Sequence, residues 1–227
     1  MPFYRAGTKL IYFAHVPKAG GMALTQFASA RTSVTAFTSH RFLKVEPKLR
    51  WSRTSPQHID VSALERLIPL EVFDACFTVV RHPVDRLISA FHFQKEREKS
   101  IPRRTKFSKW VQRLEPAMAK NPYLYDNHVR PMDELVPASA RVFYLEDGLD
   151  ALVPWFDDLL GNTLAPRTIE LVNTRQYSQK SQTLKIHPTA DDLERIARLY
   201  RADFERFDYE IEGSNASKTA GQAPYKD

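Results

Sequence analysis

The residues best suited to chemistry lie in two short runs. The first is His15-Val16-Pro17-Lys18-Ala19-Gly20-Gly21, where a lysine stands just ahead of paired glycines. The second is Arg81-His82-Pro83-Val84-Asp85-Arg86-Leu87-Ile88-Ser89, which opens on a guanidinium and ends on a hydroxyl. Backbone amides left open by glycine, an ammonium, a guanidinium and a hydroxyl are the groups that hold phosphate or sulfate. Taken alone, the first run reads equally well as a plain turn or as an anion loop. It is not the nucleotide-triphosphatase loop G-x-x-x-x-G-K-[ST]. Lys18 precedes the glycines, and Met22 and Ala23 follow them where a hydroxyl would hold magnesium.

The flanking elements give the two runs a common setting. Leu10 to Val16 is apolar, aromatic or β-branched apart from His15, which is the signature of a strand buried on both faces. Met22 to Ala30 has helical spacing, with Leu24, Phe27 and Ala28 on one side. A strand, a glycine turn and a helix in that order aim unpaired amides and a helix dipole at one small volume. Val72 to Val80 is a second buried strand, and Pro83 suits the first turn of the helix that follows it. Arg81 then lies at a strand's carboxyl end, with Ser89 two turns into the helix on a face that can meet the same crevice.

Together, HVPKAGG after one strand and VVRHPVDRLISAF after a later one resemble the two nucleotide-binding signatures of the sulfotransferase family. The likeness is greatest to carbohydrate sulfotransferases and their bacterial relatives, and it is clearest over residues 10 to 91. It implies 3′-phosphoadenosine-5′-phosphosulfate (PAPS) as donor. It further implies that Lys18, Ala19, Gly20, Gly21, Met22 and Ala23 wrap the 5′-phosphosulfate, and that Arg81 and Ser89 hold the 3′-phosphate. The family pattern has hydroxyl residues after the glycines. Met22 and Ala23 keep the backbone donors and lose the side-chain ones. Sulfuryl transfer to a hydroxyl also needs a base, and the resemblance points to this part of the chain for it. His58, just ahead of the helix that Asp60 caps, is the candidate; His40 and His128 compete, followed by Glu46. The expected acceptor is a hydroxyl on a glycan or glycolipid. Asn127-His128-Val129-Arg130-Pro131 resembles a family loop near the acceptor, and its plain reading is a surface loop. Arg175 and Tyr177, in the polar stretch Asn173 to Thr183, are placed the same way beside the nucleotide, with a surface loop again the plainer reading.

Bulk properties agree. The expected fold class is α/β: a single domain with a central, mostly parallel sheet flanked by helices, a P-loop-like nucleotide-binding fold over residues 1–212, and a disordered tail over 213–227. A hydrophobic fraction of 43% and a charged fraction of 26% are ordinary for a globular chain. The single cysteine, Cys76, reads as packing within a strand and cannot form an internal disulfide. The formal charge of +6 suits an anionic donor, but on charge alone it describes an ordinary solvated surface. Basic residues are not interleaved with aromatics in a nucleic-acid motif, so no nucleic-acid partner is expected. No apolar run reaches membrane-spanning length, which suits a cytoplasmic enzyme. No ligand cluster of metal-binding type and spacing stands out, so no metal is expected. Further elements are a helix over Val61 to Ile68, a helix over Trp110 to Ala119 and an irregular stretch over Pro122 to Pro137. Then come a strand over Ala140 to Leu145, a helix over Leu149 to Leu160 closed by Gly161, and a last helix started by Thr189 and Asp192. The alternatives are a nucleotide-dependent small-molecule kinase of related fold and a nucleotide-binding module that has lost catalysis.

Overall fold

Three strands run parallel at the centre of the molecule because helical crossovers join them. The computed structural model describes residues 2–39, 41–170 and 186–211. Strands β2 (Lys9–Ala14), β4 (Ala75–Val80) and β5 (Arg141–Tyr144) pair in parallel, with Phe13 opposite Phe77 and Val80 opposite Tyr144. Two short strands extend the sheet beyond β2. β1 (Phe3–Ala6) folds back antiparallel on β2 through Gly7, whose φ is 59°, and β3 (Val34–Ala36) pairs antiparallel with β1. The order is β3-β1-β2-β4-β5. The sheet is therefore mixed at one side and parallel where the loops of interest emerge. Strands of three and four residues are too short to show alternation in a sequence.

β2 is covered on both faces, as its composition demands. Ile11 and Phe13 enter the main core, and Tyr12 and Ala14 enter a smaller core with Phe3, Ile59 and Leu64. Helix α1 (Gly21–Arg31) presents Leu24, Phe27 and Ala28 to the main core. On the other face lies α2 (Val61–Glu65), whose N-cap Asp60 accepts from the Ala63 amide at 3.0 Å. Helix α2 ends three residues before the expected Ile68. β4 begins only at Ala75, because Pro69 starts a 3-10 turn over Leu70–Val72. Cys76 is half-buried beside Tyr12 in the smaller core, and burial pushes its thiol up to about 12.

Helix α3 (Pro83–Glu96) follows β4, α4 (Phe107–Lys120) follows in turn, and α5 (Leu152–Leu160) ends on Gly161 in the left-handed region. Thr189 and Asp192 form the expected capping box of α6 (Ala190–Leu199). The expected single last helix is broken at Tyr200 and resumes as α7 (Arg201–Arg206). At the break both elements grip one distant loop. The Tyr200 hydroxyl donates to the Val129 carbonyl at 2.6 Å, and the Asp203 carboxylate accepts from the Met132 and Asp133 amides at 2.9 and 2.8 Å. That grip holds the 127–133 segment against the carboxyl edge of the sheet. Among the described residues no helix is long and apolar enough to cross a membrane. The sequence expectations for His40, Arg175, Tyr177 and the 213–227 tail lie outside the described residues.

Candidate active site

The parallel strands β2 and β4 each end in a turn that opens directly into a helix, and the ends of β2, β4 and β5 point the same way. Ligands of open α/β sheets sit in that crevice. In the β2–α1 loop Lys18 and Gly20 both take positive φ, 72° and 83°. This alternation turns successive amides inward, as anion-binding nests do. Gly20 is the N-cap of α1; no side chain caps the helix, and its first turn holds no acidic residue. A helix start without a side-chain cap or an acidic residue keeps its dipole favourable to an anion. Gly21 is required by packing. A Cβ there would lie 1.8 Å from Nε2 of His15, so the imidazole and the loop backbone occupy adjoining space.

Lys18 is the unusual charge. Its Nζ lies 4.1 Å from the centre of the Phe93 ring, and among the described residues it forms no ion pair. Burial, followed by the charges of Arg81 and Arg97, pulls its pKa from 10.5 to about 8. A half-buried ammonium near two other cations and backed by a helix N-terminus is complementary to an anion. Arg81 is brought to this loop, where its Nη1 donates to the Lys18 carbonyl at 3.3 Å. The backbone behind Arg81 is fixed from the 3-10 turn Leu145–Asp147 that follows β5. The Glu146 carboxylate accepts from the His82 amide at 2.8 Å and from the Tyr209 hydroxyl at 3.0 Å. Ser89 lies half-buried on α3 and makes no side-chain hydrogen bond to another described residue. Met22 is 47% exposed at the start of α1, and Ala19 and Ala23 are buried.

Beyond Phe93 lies a cluster of proton-handling groups. The Phe93 ring packs against His128 at 4.9 Å, and His58 sits between His128 and His15 with ring centroids 5.0 Å from each. His58 Nδ1 meets Asp126 Oδ2 at 2.7 Å, and the Ser55 hydroxyl donates to the same oxygen at 2.6 Å. The Ser55 amide holds the other Asp126 oxygen at 2.6 Å. Burial alone would raise the Asp126 carboxyl, but the His58 and Ser55 hydrogen bonds outweigh it and keep the group below its ordinary value. An ionised Asp126 makes Nδ1 of His58 the protonated nitrogen and leaves Nε2 as the acceptor. His128 is pushed well below the ordinary histidine value, chiefly by burial. Its Nδ1 lies 3.3 Å from Nε2 of Gln94.

The turn that delivers Asp126 is strained. Tyr125, Asp126 and Asn127 have φ values of 53°, 58° and 61°, three consecutive side-chain-bearing residues in the left-handed region. Each costs about 1–2 kcal/mol relative to the right-handed form. The segment is held by Nδ2 of Asn127, which donates to the His58 carbonyl at 2.8 Å, and by the grip of Tyr200 and Asp203 further on. Such strain concentrates at functional sites.

The structure thus brings Lys18 and Arg81 together and joins His58 to His128 next to them. The plain surface-loop reading of 127–131 is overturned, since Asn127 is fully buried and His128 is 7% exposed. Glu46 is exposed and ion-paired to Lys48. The expectation of no metal-type ligand cluster also needs correction. Ligand atoms of His58, Asp126 and His128 lie within 4.8 Å of one another, a set hidden from linear spacing because the residues come from separate loops. Sequence reasoning missed Ser55, Asp126, Phe93 and Gln94. His15 left one signal, as the polar break at the end of an apolar strand.

No curated protein and no solved structure matches the chain. The model of the Sulfotransferase family matches residues 1–210, and the chain belongs to that family, whose members transfer sulfuryl groups.

Proposed function

We propose that the protein transfers a sulfuryl group from PAPS to a hydroxyl of a carbohydrate-type acceptor. The observation that carries this reading is the half-buried ammonium of Lys18, close to Arg81 and beside the start of α1, which no side chain caps. Donor binding would place an anion beside Lys18 and Arg81, two cations that the fold holds close together. The amides of residues 18–23 would hold the 5′-phosphosulfate, and Arg81 with Ser89 the 3′-phosphate. Arg81 would serve twice, since it also braces the loop through the Lys18 carbonyl.

In the transfer step the acceptor oxygen forms a bond to sulfur as the bond from sulfur to the phosphate oxygen breaks. Lys18 would donate to that bridging oxygen and stabilise the charge that collects on 3′,5′-bisphosphoadenosine as it leaves. His58 Nε2 would take the acceptor proton, and Asp126 would stabilise the imidazolium through Nδ1. The products are a sulfate ester and 3′,5′-bisphosphoadenosine, with the proton passing from His58 to solvent. His58 is favoured over His128 because it alone has a carboxylate on its other nitrogen. Asp126 commits both oxygens to Ser55 and His58, which favours a proton relay over a metal site for this cluster.

The test has two parts. Melting of the purified protein should shift upward with 3′,5′-bisphosphoadenosine and not with ATP; the reverse pattern would favour the kinase reading. A labelled-sulfate transfer screen over glycans, glycolipids and phenols should then yield a sulfated sugar. Nucleotide binding without transfer to any acceptor would favour an inactive nucleotide-binding module.

A further inference from the structure

One surface feature stands outside the nucleotide crevice. Residues 41–53, Arg-Phe-Leu-Lys-Val-Glu-Pro-Lys-Leu-Arg-Trp-Ser-Arg, form two 3-10 turns, Phe42–Lys44 and Pro47–Leu49, that project from the fold. Leu43, Val45, Leu49 and Trp51 are 41%, 40%, 68% and 50% exposed, and neighbouring Phe37 is 43% exposed. The cations Arg41, Lys44, Lys48 and Arg53 are also exposed, and Glu46 is the only acid in the run. Apolar side chains so exposed in one segment mark an interaction site.

The loop is held in shape. The Arg50 guanidinium donates to the carbonyls of Leu43 and Val45, which pins the two turns together. Phe42, itself buried, supports the Trp51 ring at 5.4 Å, and Phe37 meets that ring edge-on at 6.3 Å. A rigid turn that alternates Leu, Val and Trp with Lys and Arg matches the boundary of an anionic bilayer. Apolar groups enter the acyl margin, tryptophan settles at headgroup level, and the cations meet lipid phosphates. A glycan or an acidic protein would satisfy the cations but leave Leu49 and Trp51 in water.

We propose that the 41–53 loop seats the protein on an anionic membrane surface. The loop runs straight into Ser55 and His58, and Arg53 stacks over Tyr123 beside the Asp126 turn, so the seated surface adjoins the acceptor side of the site. On the reading of the site given above, the acceptor hydroxyl then belongs to a membrane-borne molecule such as a lipid-linked sugar. That extension rests on the sulfuryl-transfer reading; the seating itself does not.

Sedimentation with vesicles tests the seating without any turnover. The full chain should sediment with phosphatidylcholine vesicles containing about 30% phosphatidylglycerol, and not with phosphatidylcholine alone, at about 0.15 M salt. Brominated acyl chains should quench the fluorescence of Trp51. Leu49→Asp and Trp51→Ser should each weaken sedimentation by about tenfold or more, and Lys44→Glu by roughly fivefold, with 3′,5′-bisphosphoadenosine binding unchanged in all. Absence of sedimentation, sedimentation insensitive to Leu49→Asp, or a lipid-free dimer that Leu49→Asp dissolves would overturn the proposal. Vesicle binding without nucleotide binding would sink the enzymatic reading and leave the seating intact.

Discussion

Replacing Lys18 by Met removes a charge that the folded protein holds at a disadvantage. The ammonium has its pKa drawn from 10.5 to about 8 by burial and by Arg81 and Arg97. At about 1.36 kcal/mol for each tenfold change in proton affinity, the charged form costs the fold up to about 3 kcal/mol. The sign follows from linkage. Between pH 8 and 10.5 the unfolded chain binds the proton that the folded chain releases, so the wild-type protein gains stability as pH rises through this window. Below pH 8 the full cost is present, and above 10.5 it is gone. Against this, Met loses the cation–π contact with Phe93, worth about 0.5–2 kcal/mol. The left-handed φ of 72° is common to both chains and cancels. Lys18→Met should therefore raise stability at pH 7 by about 1–3 kcal/mol, a Tm gain of roughly 3–9 °C for a domain of this size. The gain should shrink toward zero by about pH 10.5. Scanning fluorimetry of both proteins across that range measures it. Adding 3′,5′-bisphosphoadenosine should reverse the order, because only in the wild type does residue 18 itself gain a pair with the bound anion. A Lys18→Met protein no more stable than wild type at pH 7, with a difference that does not change with pH, would refute the view that Lys18 waits for an anion.

Arg81→Ala should weaken 3′,5′-bisphosphoadenosine far more than adenosine 5′-phosphate by calorimetry, and equal losses would make Arg81 only a brace for the loop. His58→Ala should lower kcat by roughly two to four orders of magnitude with donor affinity nearly unchanged, and added imidazole should restore part of the rate. Asp126→Asn, which suits the left-handed turn, should also lower kcat by roughly two orders or more while leaving donor affinity alone; unchanged kcat would remove Asp126 from the proton path. Gly21→Ala should cost about 1–3 kcal/mol in urea unfolding and reduce turnover, because the new methyl displaces His15 from beside His58. Prolonged dialysis against a chelator should leave turnover unchanged, and a loss restored by zinc would turn the His58, Asp126 and His128 cluster into a metal centre.

What could be read along the chain was whatever depends on neighbours in sequence. The β2 strand, the Lys18 to Gly21 loop and α1 are contiguous, so apolar runs and glycine placement reveal them. The Pro83 start of α3, the Asp60 cap and the Thr189–Asp192 capping box are local hydrogen-bond chemistry and were equally legible. Histidine at 58 could be nominated by residue type, by its place ahead of the Asp60-capped helix and by family likeness, but its carboxylate partner is not visible along the chain. That partner is Asp126, which lies 68 positions away and reaches His58 through a left-handed turn; Asp126 and Asn127 suit that conformation, but nothing local announces His58 as the partner. The turn is held by Ser55 and by the His58 carbonyl, and by Tyr200 and Asp203, more than 70 positions further on, which grip the adjoining backbone. The same holds for the depressed pKa of Lys18, which arises from burial and from Arg81 and Arg97 arriving on other elements. Desolvation and charge–charge coupling depend on distance in space, and only the folded packing of β2, β4, α3 and the 127–133 segment decides those distances.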